Sequence, residues 1–523
     1  MLNTNIKEDT VDKQVLFKIR NLKQYFPVKG SRHEFVRAND GITLDIYAGE
    51  TLGIVGESGC GKSTLGRVLL QLYKQTDGET IYYGHSRNRL APQYVGETYK
   101  NLRSHIEKSK EMDKKAQEKE AELKKMQASV NFENKDDAVR FYREQAEYEH
   151  MAREAKGAFL NIVELVGGFY TVADTDTTQK IFLEHYAQCE KLMELEQELV
   201  RLTLDYEDLK IKDIENKSAS DNPRLIEYES KIALKEAEIV RQNESVDQKQ
   251  KAIDELKVKY VNDPEFQKYE QYLDYGVNLA RLKYNEMRRL RAQIQFIFQD
   301  PYSSLNPRLT IGQIIGEGLI THNYYKRNSS VMQDYVMEVM ENCGLQSYMI
   351  HRYPHQFSGG QRQRIGIARS LAVKPKFVVC DEAVSALDVS IQSQIINLLK
   401  DLKEKSNLTY MFISHDLSVV KYISTRIAVM YLGNIVELAD SEDMFKKPLH
   451  PYTEALLLAI PTTEKRQNVN TQLLEGDIPS PINPPKGCKF HTRCKYCMDI
   501  CKEVIPEFLE IEPDHFVACH YKK

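Results

Sequence analysis

Nowhere in the 523 residues is there an apolar stretch of about twenty, the length a helix needs to cross a bilayer. The best candidate, Phe159 to Ala173, is too short and contains Asn161 and Glu164. A membrane-spanning chain is not expected, and attachment to a membrane would have to come through another protein. Residues Met1 to Asp9 lack the apolar core of a secretory signal. An excess of positive charge is also missing: 72 Lys and Arg against 76 Asp and Glu leave a formal net charge of −4, so nucleic acid is not expected as a main partner. Cysteine is sparse until the end, where Cys488, Cys494, Cys497, Cys501 and Cys519 crowd together.

What is present begins with Gly56-Glu57-Ser58-Gly59-Cys60-Gly61-Lys62-Ser63-Thr64, preceded by the short apolar run Thr51 to Val55 and followed by helical spacing at Leu65, Val68 and Leu69. This reads as strand, phosphate-binding loop and helix. The glycines turn backbone N–H groups onto a phosphate, Lys62 adds a point charge, and the Ser63 hydroxyl suits Mg²⁺. A second apolar run, Phe377 to Cys380, ends in Asp381-Glu382. One carboxylate there would serve Mg²⁺ and its neighbour would polarise a water. Ser358-Gly359-Gly360-Gln361 lies upstream, Ser385-Ala386-Leu387-Asp388 follows the carboxylates, and His415 closes the run Tyr410 to Ser414.

This ordered set resembles the ATP-binding-cassette ATPases. The resemblance implies an α/β P-loop cassette: a mixed sheet core with an antiparallel β edge and a helical subdomain. It implies a head-to-tail dimer in which ATP meets Gly56, Ser58, Gly59, Cys60, Gly61, Lys62, Ser63 and Thr64 of one chain and Ser358, Gly359, Gly360 and Gln361 of the other. Mg²⁺ would be held by Ser63, Asp381 and Gln299, the last within Phe296-Ile297-Phe298-Gln299-Asp300-Pro301. Glu382 would orient or deprotonate the water, His415 would stand near the γ-phosphate, and Asp388 would help position the opposite site. Phe26 fits the family's adenine-stacking aromatic better than Tyr25 by order, and equally fits an alternating strand residue.

Further stretches are similar to the ATPases of oligopeptide and dipeptide permeases: Gln299 to Arg308, His450-Pro451-Tyr452-Thr453, and the cysteine-bearing tail from Gly487. The phosphate loop is most like that of the F-type subunit. The function implied is ATP hydrolysis powering oligopeptide import, with a related dipeptide or nickel importer as the alternative. The partners implied are a homologous cassette subunit, two membrane-spanning permeases and, indirectly, an extracytoplasmic peptide-binding protein, at the cytoplasmic face of the membrane. A soluble DNA-maintenance ATPase is a more distant alternative. Its long helices would separate Gln299 from Ser358, yet these are only 59 residues apart. In the tail, Cys488, Cys494, Cys501 and Cys519 match a pattern that in some members holds a [4Fe–4S] cluster. Zn²⁺ and unmetallated thiols stay open, and Cys497 departs from the pattern.

The resemblance fails between Asn88 and Glu286. There the composition turns to Glu, Lys, Gln and Ala. Leu192, Leu195, Leu199, Leu202, Tyr206 and Leu209 make a heptad seam, and so do Leu225, Tyr228, Ile232, Ile239, Val246, Ile253 and Leu256. Turn chemistry at Ser218 to Pro223 separates them, which predicts an antiparallel coiled-coil hairpin with arms of about 45 Å. Glu107 to Lys125 and Asp136 to Ala158 predict further helices, and Gly167-Gly168 an interruption. The boundaries expected are 1–87 and 287–440 for the cassette, 88–286 for the insertion and 441–523 for a C-terminal extension. The insertion reads either as a solvated helical outgrowth or as a docking arm for an unknown protein.

Overall fold

Thr51–Val55, Phe377–Asp381 and Thr409–Ile413 are buried along their whole length, as strands of a parallel sheet covered on both faces must be. The computed structural model describes residues 14–31, 34–130, 135–215, 222–327, 329–459 and 476–522. The expectation for Met1 to Asp9 and the turn expected at Ser218 to Asp221 fall outside those residues. Two compact units form. One comprises residues up to Gly84 with Asn278–Ala280 and Met287–Lys523; the other comprises His85–Val277 with Arg281–Glu286.

In the first unit we number the strands β1 (Val15–Pro27), β2 (Phe35–Tyr47), β3 (Thr51–Val55), β4 (Asp77–Tyr82), β5 (Ile294–Ile297), β6 (Phe377–Asp381), β7 (Thr409–Ile413), β8 (Arg426–Tyr431), β9 (Asn434–Asp440), β10 (Leu509–Glu512) and β11 (His515–Val517). β1 pairs antiparallel with β2 and β4. The large sheet runs β10-β11-β9-β8-β3-β7-β6-β5. Its centre, β8-β3-β7-β6-β5, is parallel, and β9, β11 and β10 extend it antiparallel. Helix α1 (Lys62–Leu69) leaves β3 through the glycine loop. A helical subdomain follows β5, with α6 (Ile311–Thr321), α7 (Ser330–Asn342) and α8 (Gly359–Leu371) burying Ile314, Ile315, Val336, Met340, Ile365 and Ile367. Thr310 and Ser358 each start a helix with a reciprocal capping box, to Gln313 and Gln361. α9 (Val389–Ser406) follows β6.

The second unit is helical. Its longest members are α2 (Leu102–Ser129), α3 (Lys135–Val166), α4 (Thr175–Glu215) and α5 (Pro223–Val258). α4 and α5 run antiparallel: Glu184 meets Lys249, Gln188 meets Gln242, Glu198 meets Lys235, and Tyr206 meets Glu229. The less exposed positions of α5 recur at 225, 228, 232, 235, 239, 242, 246, 249, 253 and 256, alternating three and four apart. The seam thus includes Lys235, Gln242 and Lys249, which hydrophobic spacing could not reveal. Their polar ends find partners on α4 while their stems lie along the interface.

An aromatic core supports the base of this helix pair. Tyr99, Phe169, Tyr170, Phe182, Tyr186 and Phe266 are buried, with Phe159 packed edge-on against Tyr170. The run Phe159 to Ala173 belongs to this core, and Gly167-Gly168 forms a single 3-10 turn ending in two of its rings. All of these rings lie within the helical unit, which thus has a hydrophobic core of its own. Replacing residues 88–276 by a short Gly/Ser linker should therefore leave a folded chain that binds nucleotide as the full protein does. A nucleotide titration checks this, and a soluble, folded deletion variant without binding would make the helical unit part of the nucleotide-binding fold.

Candidate functional site

The site forms where the parallel strands end together. Val55 pairs with Val429, Ile54 and Asp381 with Ile413, and Ile297 with Cys380, so the segments that follow β3, β5, β6 and β7 emerge at one edge. Crevices beyond the carboxyl ends of parallel strands are the usual ligand position in such sheets.

From β3 the chain turns through Gly56 to Gly61. A Cβ on Gly61, at φ 103°, would lie 2.0 Å from the Ala38 carbonyl oxygen, and one on Gly56 would lie 2.2 Å from that of Met430. Only glycine allows these approaches. Buried Asn39 fixes the turn, its Nδ2 donating to the Gly61 carbonyl at 3.1 Å. Lys62 folds back into the loop and donates to the carbonyls of Gly56 (2.7 Å) and Glu57 (3.0 Å). α1 begins at Gly61 with no side-chain cap on its N-terminal turn. Ser58 and Gly59 are exposed, Cys60 is buried with its thiol pushed up by desolvation, and Thr64 is half-buried.

The Ser63 hydroxyl donates to Asp381 Oδ1 at 2.5 Å. Oδ2 of Asp381 is buried and has no hydrogen-bond partner; Arg67 stands 3.8 Å away. Burial pushes the Asp381 pKa above the usual carboxylate range, partly offset by Ser63 and Arg67. An orphaned carboxylate oxygen beside a serine hydroxyl is an oxygen pair suited to Mg²⁺. The next residue, Glu382, is held at φ 47°, a left-handed backbone that costs a non-glycine residue about 1–3 kcal/mol. Its N–H donates to the Ile413 carbonyl (3.0 Å), and its own carbonyl accepts the Ser385 hydroxyl (3.0 Å). The twist aims its carboxylate between two partners. Gln299 Nε2 donates to Oε2 at 2.6 Å, and His415 Nδ1 stands 3.6 Å from Oε1.

Ser358, Gly359 and Gln361 form the N-terminal turn of α8, with Ser358 Oγ accepting the Gln361 N–H at 3.4 Å. Ser358 and Gly359 are exposed, Gly360 less so. Asp388, also exposed, starts α9 without a side-chain cap. Phe26 is half-buried on β1, edge-on to Tyr73. Tyr25 is tied to Asp40 through its hydroxyl and lies beneath Arg37. Arg67 was missed by motif reading, although its place one helical turn beyond Ser63 could have signalled it.

The tail cysteines are free thiols, Cys501 buried and the others half-buried. Cys494, Cys501 and Cys519 act electrostatically on Cys488, and Cys497, Cys501 and Cys519 act on Cys494. Burial pushes the Cys488 thiol up to about 12 and the Cys494 thiol to about 11. Among the described residues no group of three or more His, Cys, Asp or Glu is placed to hold a metal ion. Four thiols fit an iron–sulfur cluster or zinc in number and chemistry, and the placement of the side chains does not support either.

The buried Asp381 generates a prediction. Its folded pKa is raised, so folding favours the protonated form; the associated stability is present at acid pH and lost as pH rises through that pKa. At neutral pH Asp381→Asn should therefore raise the melting temperature of the nucleotide-free protein while removing Mg²⁺-dependent turnover. Thermal unfolding checks it, and a lowered melting temperature would show that the carboxylate's contacts outweigh its desolvation.

Residues 39–157 and 273–385 match the family profile described as ABC transporter, and residues 436–501 match that of the oligopeptide/dipeptide transporter C-terminal region. The oligopeptide transport ATP-binding protein AppF of Bacillus subtilis (strain 168) is 53% identical over 253 residues, 48% of this chain and 76% of AppF. A peptide import ATP-binding protein of Brucella ovis is 51% identical over 244 residues, 47% of this chain and 76% of its own length. YkfD of Bacillus subtilis, named for oligopeptide transport, is 51% identical over 250 residues, 47% of this chain and 75% of YkfD. With three quarters of such relatives aligned at about half identity, and with both profiles matched, the chain belongs to the ABC transporter ATP-binding proteins of the oligopeptide and dipeptide transport group.

Proposed function

We propose that this chain is the ATP-hydrolysing subunit that powers peptide import, working at the cytoplasmic face of the membrane with a homologous cassette subunit and two permeases. The observation that carries the reading is the meeting of Gln299, Glu382 and His415 one residue beyond the Ser63–Asp381 pair. Gly56, Ser58, Gly59, Cys60, Gly61, Lys62, Ser63 and Thr64 bind the phosphates, and Ser63, Asp381 and Gln299 would hold Mg²⁺, which neutralises phosphate charge when bound. Glu382 accepts a proton from, or orients, the attacking water. Gln299 and His415 fix the direction of its carboxylate. The exposed Ser358-Gly359-Gly360-Gln361 turn and Asp388 are free to complete the site of a second cassette, and half-buried Phe26 offers its ring to adenine.

Among the described residues no helix is long and apolar enough to cross a membrane; in this reading the permeases supply the path. An open cleft of about 690 Å³ between α6 and α7, lined by Thr310, Gln313, Glu317, Met332, Val336 and Ile350, supports docking of a permease helix. The extracytoplasmic peptide-binding protein acts through those permeases. The antiparallel pair α4 and α5 is read as a coiled-coil arm, inserted in the cassette, that reaches a further protein.

In the assembled complex, Glu382→Gln should keep ATP binding and lose turnover by about 10²-fold or more, whereas Lys62→Ala should lose nucleotide affinity. Normal ATP turnover and peptide uptake by the Glu382 variant would overturn the assignment. For the tail, we infer that Cys488, Cys494, Cys501 and Cys519 carry a [4Fe–4S] cluster, a reading supported by the number and chemistry of the four thiols. Anaerobically purified protein should then show broad visible absorption that Cys494→Ser removes. Stoichiometric zinc in colourless protein would replace iron, and neither metal would leave the tail as a packed staple.

A further inference from the structure

The C-terminal region grips the phosphate loop at Glu57, a residue for which nucleotide binding by itself has no task. Arg493 holds its carboxylate with both prongs, Nη1 to Oε2 at 2.8 Å and Nη2 to Oε1 at 3.1 Å. From the other side the Glu57 N–H donates to the Tyr452 hydroxyl at 2.9 Å. The Glu57 carbonyl is one of the two that hold Lys62. A single residue therefore joins the tail to the lysine that meets the phosphates.

Both grips are themselves firmly built. The Arg493 side chain is only 5% exposed and lies over the Tyr431 ring. Tyr452 is fully buried, with its ring 4.8 Å from that of Tyr431 and 5.4 Å from that of Phe490. Its helix, α10 (Pro451–Leu458), starts at His450, whose Nδ1 accepts the Tyr452 N–H at 3.0 Å. Burial pushes the His450 pKa down to about 4, which keeps that nitrogen an acceptor at neutral pH. Behind it the buried Glu437 carboxylate accepts the N–H groups of Leu449 (2.7 Å) and His450 (2.8 Å) and pairs with His515. Lys489, four residues before Arg493, is anchored to Asp40 and the Leu432 carbonyl at 2.9 Å each.

A glycine-rich loop loses much conformational freedom when it closes on phosphate, and fixing it beforehand raises affinity. We propose that Arg493 and Tyr452 are positioning residues that clamp Glu57 and thereby hold the phosphate loop and Lys62 ready for the nucleotide. The C-terminal region then sets nucleotide affinity from within the same chain. The inference rests on the reading of the loop as the ATP site.

The test is a MgATP titration of the full chain, with steady-state turnover at saturating ATP in the assembled complex. Arg493→Ala and Glu57→Gln should each weaken MgATP binding about tenfold, the loss expected for one charge-assisted, two-pronged contact. Saturated turnover should stay within about twofold, and the double variant should bind no worse than either single one. Arg493→Lys should recover part of the loss, since it keeps the charge without the fork. Unchanged affinity in the single variants, multiplied losses in the double, or a loss confined to saturated turnover would each overturn the clamp. If Arg493→Ala does not fold, Glu57→Gln alone decides. Lys62→Ala separates the two readings: if it too leaves affinity unchanged, the ATP site itself is misplaced, and if it alone loses binding, only the clamp fails.

Discussion

Everything chemical in this molecule depends on the level ending of the parallel strands. β3 delivers the glycine loop, β6 delivers Asp381 and Glu382, β7 delivers His415, and β5 delivers Gln299. These segments are distant in sequence and adjacent only because their hydrogen-bond registers agree. A slip by one residue in β6 would exchange the faces of Asp381 and Glu382. The left-handed backbone of Glu382 shows the same constraint at work, since it is tolerated where the bonds to Ile413 and Ser385 hold the turn.

The two carboxylates divide their labour by environment. Asp381 is buried, with an oxygen that lacks a hydrogen bond, and its ionisation is opposed by desolvation. In the proposed reading it would take a cation. Glu382 lies nearer the surface with its carboxylate between Gln299 and His415, and in the proposed reading that orientation is set before a water binds. Preorganised polar groups of this type act without reorganising during the reaction. The Ser358 turn is exposed, and in the proposed reading it is where a second cassette would contribute. The helical unit needs none of this machinery, having its own aromatic core and its own paired helices.

Much of this was legible in the sequence because the informative motifs are short and local. Gly56 to Thr64, Asp381-Glu382 and His415 each sit where an apolar run ends, and the runs became the strands of the sheet. What escaped is whatever depends on residues far apart. Arg493 and Glu57 are separated by 436 positions, and no local pattern announces their contact. Tyr452 was visible as part of a recurring stretch, and its bond to the phosphate loop was not. Lys235, Gln242 and Lys249 broke the hydrophobic spacing of α5 while filling its seam. The buried rings around Phe169 were hidden among charged helices, because aromatic contacts between turns and helices carry no period. In the tail the number of thiols could be read, whereas their placement could not.

The central claim is that Gln299, Glu382 and His415 act as one catalytic unit. A double-variant cycle on ATP turnover by the assembled complex tests this most directly. If the three act together, His415→Ala added to Glu382→Gln should slow turnover by no more than about twofold beyond Glu382→Gln alone, as groups sharing one task do. Losses that multiply would show that the histidine acts independently of the glutamate, and would contradict the account.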